Sequence, residues 1–193
     1  MILKTREKLI QVARQLFDHK GVAKTTINDI ASASKKGRRT VYTYFKNKVE
    51  IYNAVLESES EEIVTSLRGI VESDDDVTER LASFLRFRLE HNSVRSVEPR
   101  RPWLTFDLRR LEKVNRLVRA KESAMLAALL REGCEKGIFL PERCRLLEGF
   151  VNECISRLVI PQTDSRLAER RDRIFSNFIE FIISDITATK DTQ

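Results

Sequence analysis

Apolar residues recur every three to four positions along almost the whole chain, which is the spacing of one face of an α-helix. The first segment shows it at Leu9, Ala13, Leu16 and Phe17, and the same spacing continues from Ile51 to Ile70 and from Val77 to Leu85. No segment shows sustained alternation of apolar and polar residues. The pattern predicts an all-α protein of about nine helices.

Helix boundaries follow from the stop and start signals in the sequence. Gly21, Gly37, Gly137 and the prolines fall between periodic segments. Asn47 with Glu50, and Asp76 with Glu79, have the spacing of a capping box. We expect helices near residues 3–19, 26–34, 38–45, 48–71, 76–91, 101–110, 111–136, 141–159 and 164–188.

Charge divides the chain into two parts. The net charge is +6, but residues 1–48 hold 12 basic and 3 acidic side chains, so the remainder is slightly acidic. We therefore expect a domain over residues 1–48 and a second helical domain over residues 49–193, with different partners. The longest apolar run, Ala124 to Leu130, is far shorter than the roughly 20 residues of a bilayer span. With no secretory signal pattern at the start, the sequence predicts a cytoplasmic protein without membrane contact.

Two short helices near residues 26–34 and 38–45, preceded by a longer one, have the arrangement of a helix-turn-helix. Val41 and Phe45 are four residues apart and can face the core, which leaves Arg38, Arg39, Tyr42 and Thr43 on the other side. Arginine can make a bidentate contact with guanine in the major groove, threonine can meet a base edge and tyrosine can reach phosphate. The outer face of this helix is predicted to read DNA bases.

Positive charge surrounds this helix. Lysines at positions 24, 35, 36, 46 and 48 can contact phosphates, and the helix beginnings near Thr26 and Lys48 offer free amides to phosphate oxygens. A basic surface that is merely solvated is the alternative for any one lysine. Their concentration within a helix-turn-helix favours DNA binding.

The stretch LFDHKGVAKTTINDIASASKKGRRTVYTYFKNKVEIY resembles the signature of the tetracycline-repressor (TetR) family of bacterial regulators. The matching residues are Phe17, Gly21, Thr26, Ile30, Ala31, Thr40, Tyr42, Tyr44, Phe45, Lys48 and Tyr52. The resemblance implies a dimeric repressor that a small molecule releases from a palindromic operator. It also implies DNA contact by Thr40, Tyr42, Thr43, Tyr44 and Lys48, although Tyr44 is equally compatible with a core position.

The turn between the two short helices departs from the family pattern. The family usually has glycine where this chain has Lys35, an aliphatic residue at Lys36 and a small polar residue at Gly37. Because a left-handed conformation is costly for lysine and free for glycine, we expect Gly37 to adopt it and the turn to close two residues later. The predicted DNA-contacting residues are therefore Thr26, Lys35, Lys36, Gly37, Arg38, Arg39, Thr40, Tyr42, Thr43, Tyr44 and Lys48.

The last two predicted helices carry apolar residues over arcs of about 200° or more, which is too wide for one buried stripe. One face can pack on the same subunit while the other joins a twin pair in a four-helix bundle. A homodimer is predicted, as the resemblance also implies. The predicted interface consists of Phe150, Cys154, Leu158, Phe175, Phe178, Ile179, Ile182 and Ile186.

An effector pocket is expected among the central helices, where the resembling family binds small molecules. Aromatic and soft side chains there suit a ligand, but each also suits plain core. Arg88 and His91 are the obvious polar anchors, and a carboxylate effector would fit them. The predicted pocket residues are Phe84, Phe87, Arg88, His91, Trp103, Phe106 and Met125. Control by a protein partner instead of a small ligand is the alternative function.

No catalytic site is predicted. His19 and His91 belong to separate domains, and no HExxH, GxSxG, Walker or GxGxxG pattern occurs. The acidic run from Asp74 to Asp76 lacks the spacing of a calcium loop and fits a solvated helix cap. The three cysteines, Cys134, Cys144 and Cys154, are ten residues apart, which suggests buried thiols and neither a disulfide framework nor a zinc site. We expect no metal and no cofactor.

Overall fold

The computed structural model describes residues 2–95, 106–157 and 165–187, and these fold into eight α-helices. An isolated antiparallel bridge joins Phe139 and Thr187. The predicted all-α class is confirmed. The helices are α1 (Ile2–Lys24), α2 (Ile27–Ser34), α3 (Arg38–Tyr44), α4 (Lys48–Val71), α5 (Val77–Arg95), α6 (Leu108–Glu135), α7 (Pro141–Arg157) and α8 (Ser165–Ile186).

One predicted helix boundary is wrong. The break expected between residues 110 and 111 does not exist, because α6 runs continuously from Leu108. The side chain of Asp107 accepts a hydrogen bond from the amide of Arg110 at 3.0 Å, which caps the beginning of α6. Most of the predicted helix 101–110 lies outside the described residues.

The described residues form two compact units. The first contains residues 2–63 and 106–118, and the second contains residues 64–95, 119–157 and 165–187. This division concerns compactness alone. The functional boundary at residue 48 stays a prediction.

The core of the first unit is formed by α1, α2, α3 and the beginning of α4. Gly21 has φ 78° and ψ 161°, so regular α1 geometry is interrupted close to the predicted end of the first helix. Arg14 on α1 makes ion pairs with Glu59 and Glu62 on α4, at 2.8 and 3.0 Å. The buried side chains of this core include Leu9, Ala13, Phe17, Ile30, Val41, Phe45, Ile51, Tyr52 and Val55.

The conformation of the turn between α2 and α3 differs from the prediction. Lys35, and not Gly37, adopts the left-handed conformation, with φ 55° and ψ 41°. The amide of Lys35 donates to the carbonyl of Ser32 at 3.1 Å, and that of Lys36 donates to the carbonyl of Ala31 at 2.9 Å. These bonds satisfy carbonyls at the end of α2 and offset the strain of a left-handed lysine. Gly37 has φ −69° and is the residue before α3.

Replacing Lys35 with glycine should therefore raise the free energy of unfolding by about 1 kcal/mol, because glycine adopts the left-handed conformation without steric cost. Lys36→Gly is the matched control, since it removes the same charge at a neighbouring exposed position without a positive φ. It should leave stability unchanged or lower it. Urea unfolding followed by circular dichroism measures both variants, and equal effects would contradict the strain argument.

The second unit has its core between α5, α7 and α8, which pack against one another, and the second half of α6 adds to its buried residues. The amide of Leu140, just before α7, donates to the carbonyl of Ile186 at the end of α8, at 2.8 Å. The buried side chains include Leu81, Phe84, Leu85, Leu89, Leu126, Leu129, Phe139, Val151, Ile155, Phe175, Ile179, Ile182 and Ile186.

A buried arginine closes the end of α4 within the second unit. Arg80 on α5 donates to the carbonyl of Val71 at 2.7 Å and to that of Asp75 at 3.1 Å, and it forms an ion pair with Glu132 on α6. Its hydrogen bond, with a further bond from Lys136, lowers the pKa of Glu132. Arg80 thus satisfies carbonyls that the end of a helix leaves without partners.

The described residues contain no candidate for a membrane span or for a metal site. None of the helices there contains an apolar stretch long enough to cross a membrane. No group of three or more histidine, cysteine, aspartate or glutamate side chains comes together there in a way that could hold a metal ion.

Candidate nucleic-acid interface

Helix α3 presents one polar face to solvent. Val41 and Phe45 are 0% and 2% exposed, respectively, and both belong to the core of the first unit. Arg38, Arg39, Tyr42 and Thr43 are exposed. The structure therefore has the core face and the outer face that were predicted for this helix.

The exposed side chains of α3 are partly held in place by one another. The guanidinium of Arg38 donates to the hydroxyl of Tyr42 at 3.3 Å and lies 5.5 Å from the centre of its ring. The hydroxyl of Thr43 donates to the carbonyl of Arg39 at 3.0 Å. A face with its polar groups ordered in this way loses less conformational entropy when it binds a ligand.

The remaining predicted contact residues of the turn and of α3 are placed as follows. Lys35, Lys36 and Gly37 are exposed, and Thr40 is half-buried. Tyr44 is half-buried and packs against the hydrophobic core of the first unit. Of the two alternatives for Tyr44, this placement favours the core.

The beginning of α2 carries a capping box that the sequence analysis did not identify. The hydroxyl of Thr26 accepts a hydrogen bond from the amide of Asp29 at 3.1 Å, and the carboxylate of Asp29 accepts from the amide of Thr26 at 2.7 Å. Lys20 forms an ion pair with Asp29 at 2.7 Å. The side chain of Thr26 is therefore engaged in the cap, which leaves the amides of the first turn as the groups available for a phosphate.

The pKa of Asp29 is lowered to about 2 by its hydrogen bonds with Lys20 and Thr26. A carboxylate with a lowered pKa stabilises the fold above its unfolded-state value near 3.8, and this contribution is lost as the pH falls through about 2.

Asp29→Asn should therefore destabilise the protein at pH 5, and the difference from wild type should shrink towards about pH 2. Urea unfolding at several pH values measures this difference. Glu61→Gln, which removes an exposed carboxylate from α4, is the control. A difference that does not change with pH would contradict the assignment.

The beginning of α4 is also capped, at the residues the sequence indicated. The side chain of Asn47 accepts from the amide of Glu50 at 2.9 Å, and the carboxylate of Glu50 accepts from the amide of Lys46 at 2.6 Å. The ammonium of Lys48 donates to the carbonyl of Ala23 at 3.1 Å. Lys48 thus fixes the beginning of α4 against the end of α1, and an ammonium has three N–H groups, so donors are left for a phosphate.

The predicted effector residues do not form one set. Phe106 belongs to the first unit, where its ring packs edge-on against Tyr52 at 5.1 Å, and Trp103 lies outside the described residues. In the second unit, Phe84 is fully buried, whereas Phe87, His91 and Met125 are half-buried. The rings of Phe87 and His91 are stacked with centroids 3.8 Å apart, and Nδ1 of His91 is 2.9 Å from the carbonyl of Phe87.

Arg88, predicted as an anchor for an effector carboxylate, has a carboxylate partner within the protein. It forms an ion pair with Glu122 on α6 at 3.4 Å, and the two side chains are only 5% and 7% exposed. Its guanidinium also lies 5.9 Å from the ring centre of Phe84. A carboxylate ligand would have to compete with Glu122 for this arginine.

The residues predicted for the dimer interface fall on two different faces. Phe175, Ile179, Ile182 and Ile186 are buried within one subunit, so these side chains are already covered. Phe150 is exposed, Cys154 and Phe178 are half-buried, and Leu158 lies outside the described residues. The prediction therefore mixed the inner face of α8 with the outer face. The exposed apolar side chains are Leu146 and Phe150 on α7 and Ile174 and Phe181 on α8.

Comparison with known proteins supports the interpretation of the first fifty residues. The profile of the family described as "Bacterial regulatory proteins, tetR family" matches residues 9–55. The Escherichia coli (strain K12) "Probable acrEF/envCD operon repressor" is 47% identical over 51 residues, which are 26% of this chain and 23% of that protein. The transcriptional regulator TtgR of Pseudomonas putida is 38% identical over 73 residues, 38% of this chain and 34% of the relative. The chain therefore matches about a quarter to a third of the length of these relatives.

Solved structures share the fold over almost the whole chain. A transcriptional regulator from Cytophaga hutchinsonii superposes with a TM-score of 0.66 at 21% identity, covering 94% of this chain and 98% of the other. A TetR/AcrR-family regulator from Thermobifida fusca gives 0.60 at 22% identity, covering 92% and 96%. Residues 9–55 therefore match the tetR family of bacterial regulatory proteins, and the fold of the chain is similar to that of these solved structures.

Proposed function

We propose that the protein is a sequence-specific DNA-binding transcriptional regulator that represses its target from a near-palindromic site. The observation that carries the proposal is the exposed face of α3, with two arginines, a tyrosine and a threonine, on a helix whose other face is fixed in a core. Arginine and threonine on such a helix can reach base edges in the major groove. A regulator of chromosomal DNA acts in the cytoplasm, which is the localisation we propose.

The proposed contacts fall into two kinds. Arg38, Arg39 and Thr43 would read bases, while Tyr42 and Lys48 would contact phosphates. The lysines of the turn add positive charge beside α3, so they would hold the DNA without selecting a sequence. The names of the relatives, which describe a repressor and a transcriptional regulator of helix-turn-helix type, support DNA binding in general.

The experiment that tests the function is a binding titration with the DNA that flanks the protein's own gene, against random DNA of the same length. We expect binding to the specific site to be at least about a thousandfold tighter, and to weaken steeply with salt as counterions are released. Equal affinity for both DNAs, or an affinity independent of salt, would overturn the proposal.

A homodimer is part of the proposal, because two copies of α3 must reach half-sites about 34 Å apart. Leu146 and Phe150 are four residues apart on α7 and are 75% and 55% exposed, respectively. Ile174, Phe178 and Phe181 have helical spacing on the neighbouring α8. Exposed apolar residues of this kind on a pair of packed helices fit a second copy of the same pair. We call these five residues the outer strip.

Phe181→Glu should convert the protein to a monomer at micromolar concentration, because it places a charge in the centre of the proposed interface. Sedimentation velocity measures the change. Glu180→Lys, which alters the charge at the adjacent exposed position, is the control and should remain dimeric. A Phe181→Glu protein that still sediments as a dimer would exclude the outer strip.

We propose that a small organic effector regulates the protein by releasing it from DNA. The half-buried Phe87–His91 stack and Met125, with the buried Arg88–Glu122 pair on the same two helices, give the second unit apolar and polar groups that a ligand could use. A library of small organic molecules tests this. A compound that both raises the melting temperature and weakens operator binding supports ligand control.

Control by a protein partner is the second candidate. Leu108 and Leu117 on α6 are both exposed, and they lie outside the outer strip. Exposed leucines beside the exposed Arg109 and Lys113 would suit an acidic amphipathic partner segment. Leu117→Lys should then abolish regulation in cells without changing operator affinity in vitro. Unchanged regulation would leave only ligand control.

A further inference from the structure

Two of the three cysteines meet in the second unit although they are ten residues apart. Cys134 lies in the last turn of α6, and Cys144 lies in the first turn of α7. The side chain of Cys134 lies near enough to the thiol of Cys144 to affect its ionisation, and both cysteines are free. Cys144 is 6% exposed, whereas Cys134 is half-buried. A small molecule can therefore approach the pair from the side of Cys134.

Backbone hydrogen bonds close the segment between the two cysteines. The amides of Ile138 and Phe139 both donate to the carbonyl of Gly133, at 2.9 and 3.0 Å, and the amide of Gly137 donates to that of Cys134 at 3.0 Å. Gly137 takes the left-handed conformation, with φ 68°. These bonds form a tight reversal between the two helix ends that carry the cysteines.

The ring of Phe139 fixes the same reversal from the inside. It packs so closely on Gly133 that a Cβ at this position would lie 1.9 Å from a ring carbon. Phe139 is fully buried, and the next amide, that of Leu140, is bonded to the end of α8. The two helix ends that carry the thiols are thus held by core packing as well as by hydrogen bonds.

We propose that Cys134 and Cys144 form a reversible disulfide bond when the protein meets a low-molecular-weight disulfide. A disulfide needs Cα atoms about 4.4–6.8 Å apart and sulfurs that can approach to about 2 Å. The interaction of the two side chains, and the tight reversal that joins the helix ends carrying them, favour such an approach. Disulfides inside reducing compartments are usually transient and regulatory. The inference does not depend on the proposed function.

The chemistry is two successive thiol–disulfide exchanges. The thiolate of Cys134, the more exposed of the two, attacks one sulfur of the small disulfide, which forms a mixed disulfide and releases one thiolate that takes up a proton. The thiol of Cys144 then loses its proton and attacks the sulfur of Cys134, which expels the second small thiolate. Two protein thiols are oxidised by two electrons in total, and the small disulfide is reduced to two thiols.

The order of attack follows from the environments of the two sulfurs. Burial, with the hydrogen bond and the charge of Cys134, raises the pKa of Cys144 to about 12. Because only the thiolate is nucleophilic, Cys144 is a poor first attacker. When Cys134 is converted into a mixed disulfide, its own contribution to the raised pKa of Cys144 is removed. Cys144 therefore acts second, as the resolving cysteine.

The bond would tie the last turn of α6 to the first turn of α7. Leu146, the first residue of the outer strip, is two residues beyond Cys144 on the same helix. Oxidation would thus restrain the base of the surface proposed for self-association. A covalent restraint on a ten-residue loop also limits the unfolded chain, so the melting temperature should rise by several degrees.

The test uses oxidised glutathione on the folded full-length protein, followed by trapping of free thiols and tryptic digestion. Trypsin cleaves after Arg131, Lys136, Arg143 and Arg145, so the predicted product joins the peptide of residues 132–136 to that of residues 144–145. Reduction should separate the two peptides. The wild-type protein should lose two of its three thiols, and Cys154→Ser should lose both of its two thiols.

Cys144→Ser should stop at a glutathione adduct on Cys134, and Cys134→Ser should leave Cys144 unmodified. The equilibrium constant for the internal bond should be at least about tenfold larger in the native protein than in concentrated urea, because the fold holds the sulfurs together. Only glutathione adducts in the wild-type protein, a bond to Cys154, or an equal constant in urea would overturn the proposal.

Discussion

Glu122→Leu should lower the free energy of unfolding by about 3 to 5 kcal/mol, because it removes the carboxylate that forms an ion pair with the buried guanidinium of Arg88. Both side chains are almost inaccessible, and the pair joins α5 to α6 inside the second unit. Water cannot replace the lost carboxylate without opening this core. Urea unfolding followed by far-ultraviolet circular dichroism measures the loss.

The double variant Arg88→Met/Glu122→Leu separates charge from packing. Removing both members of a buried ion pair and replacing them with apolar groups of similar volume is often neutral or stabilising. The double variant should therefore recover most of the stability that the single variant loses. A single variant that loses less than about 1 kcal/mol would mean that Arg88 is not electrostatically dependent on Glu122.

Arg39→Ala should weaken binding to the specific DNA site by about 1 to 3 kcal/mol and should weaken binding to random DNA much less. Arg39 is exposed on the outer face of α3, and a bidentate contact with guanine is the commonest specific contact an arginine makes. The ratio of specific to non-specific affinity is the quantity to measure, at fixed salt.

Lys8→Ala is the matched control for Arg39→Ala. Lys8 is an exposed cation on α1, in the same compact unit, and it was not assigned to the interface. Its removal lowers the net charge equally but should change neither affinity by more than a small factor. Arg39→Ala with an unchanged affinity ratio would remove this residue from the base-reading set.

The helices and the outer face of α3 could be predicted because they follow from local signals. Apolar spacing put Val41 and Phe45 inside, and glycines at positions 21 and 137 marked breaks that the structure contains as left-handed residues. The cap of α4 was visible as Asn47 and Glu50. Thr26 and Asp29 have the same three-residue spacing, so the cap of α2 could have been found by the same rule.

Features that depend on distant partners could not be predicted. Arg88 is paired because Glu122 on another helix reaches it, and nothing near Arg88 in the sequence indicates this. The apolar arc of α8 was wide enough for two faces, but which residues face inward depends on how α5 and α7 pack against it. Lys35 adopts the left-handed conformation because hydrogen bonds to carbonyls of α2 offset its steric cost. The conformational preference of lysine alone does not indicate these hydrogen bonds.

The contact between Phe139 and Gly133 limits how this protein can vary. From the sequence, Gly133 is simply a glycine tolerated within a helix, like Gly69 and Gly149, yet those two have open space where a side chain would be and Gly133 has an aromatic ring there. Gly69 and Gly149 can therefore each be replaced by a larger residue without a second substitution. At position 133 even alanine requires a smaller side chain at position 139 as well, so we expect Gly133 and Phe139 to be retained together.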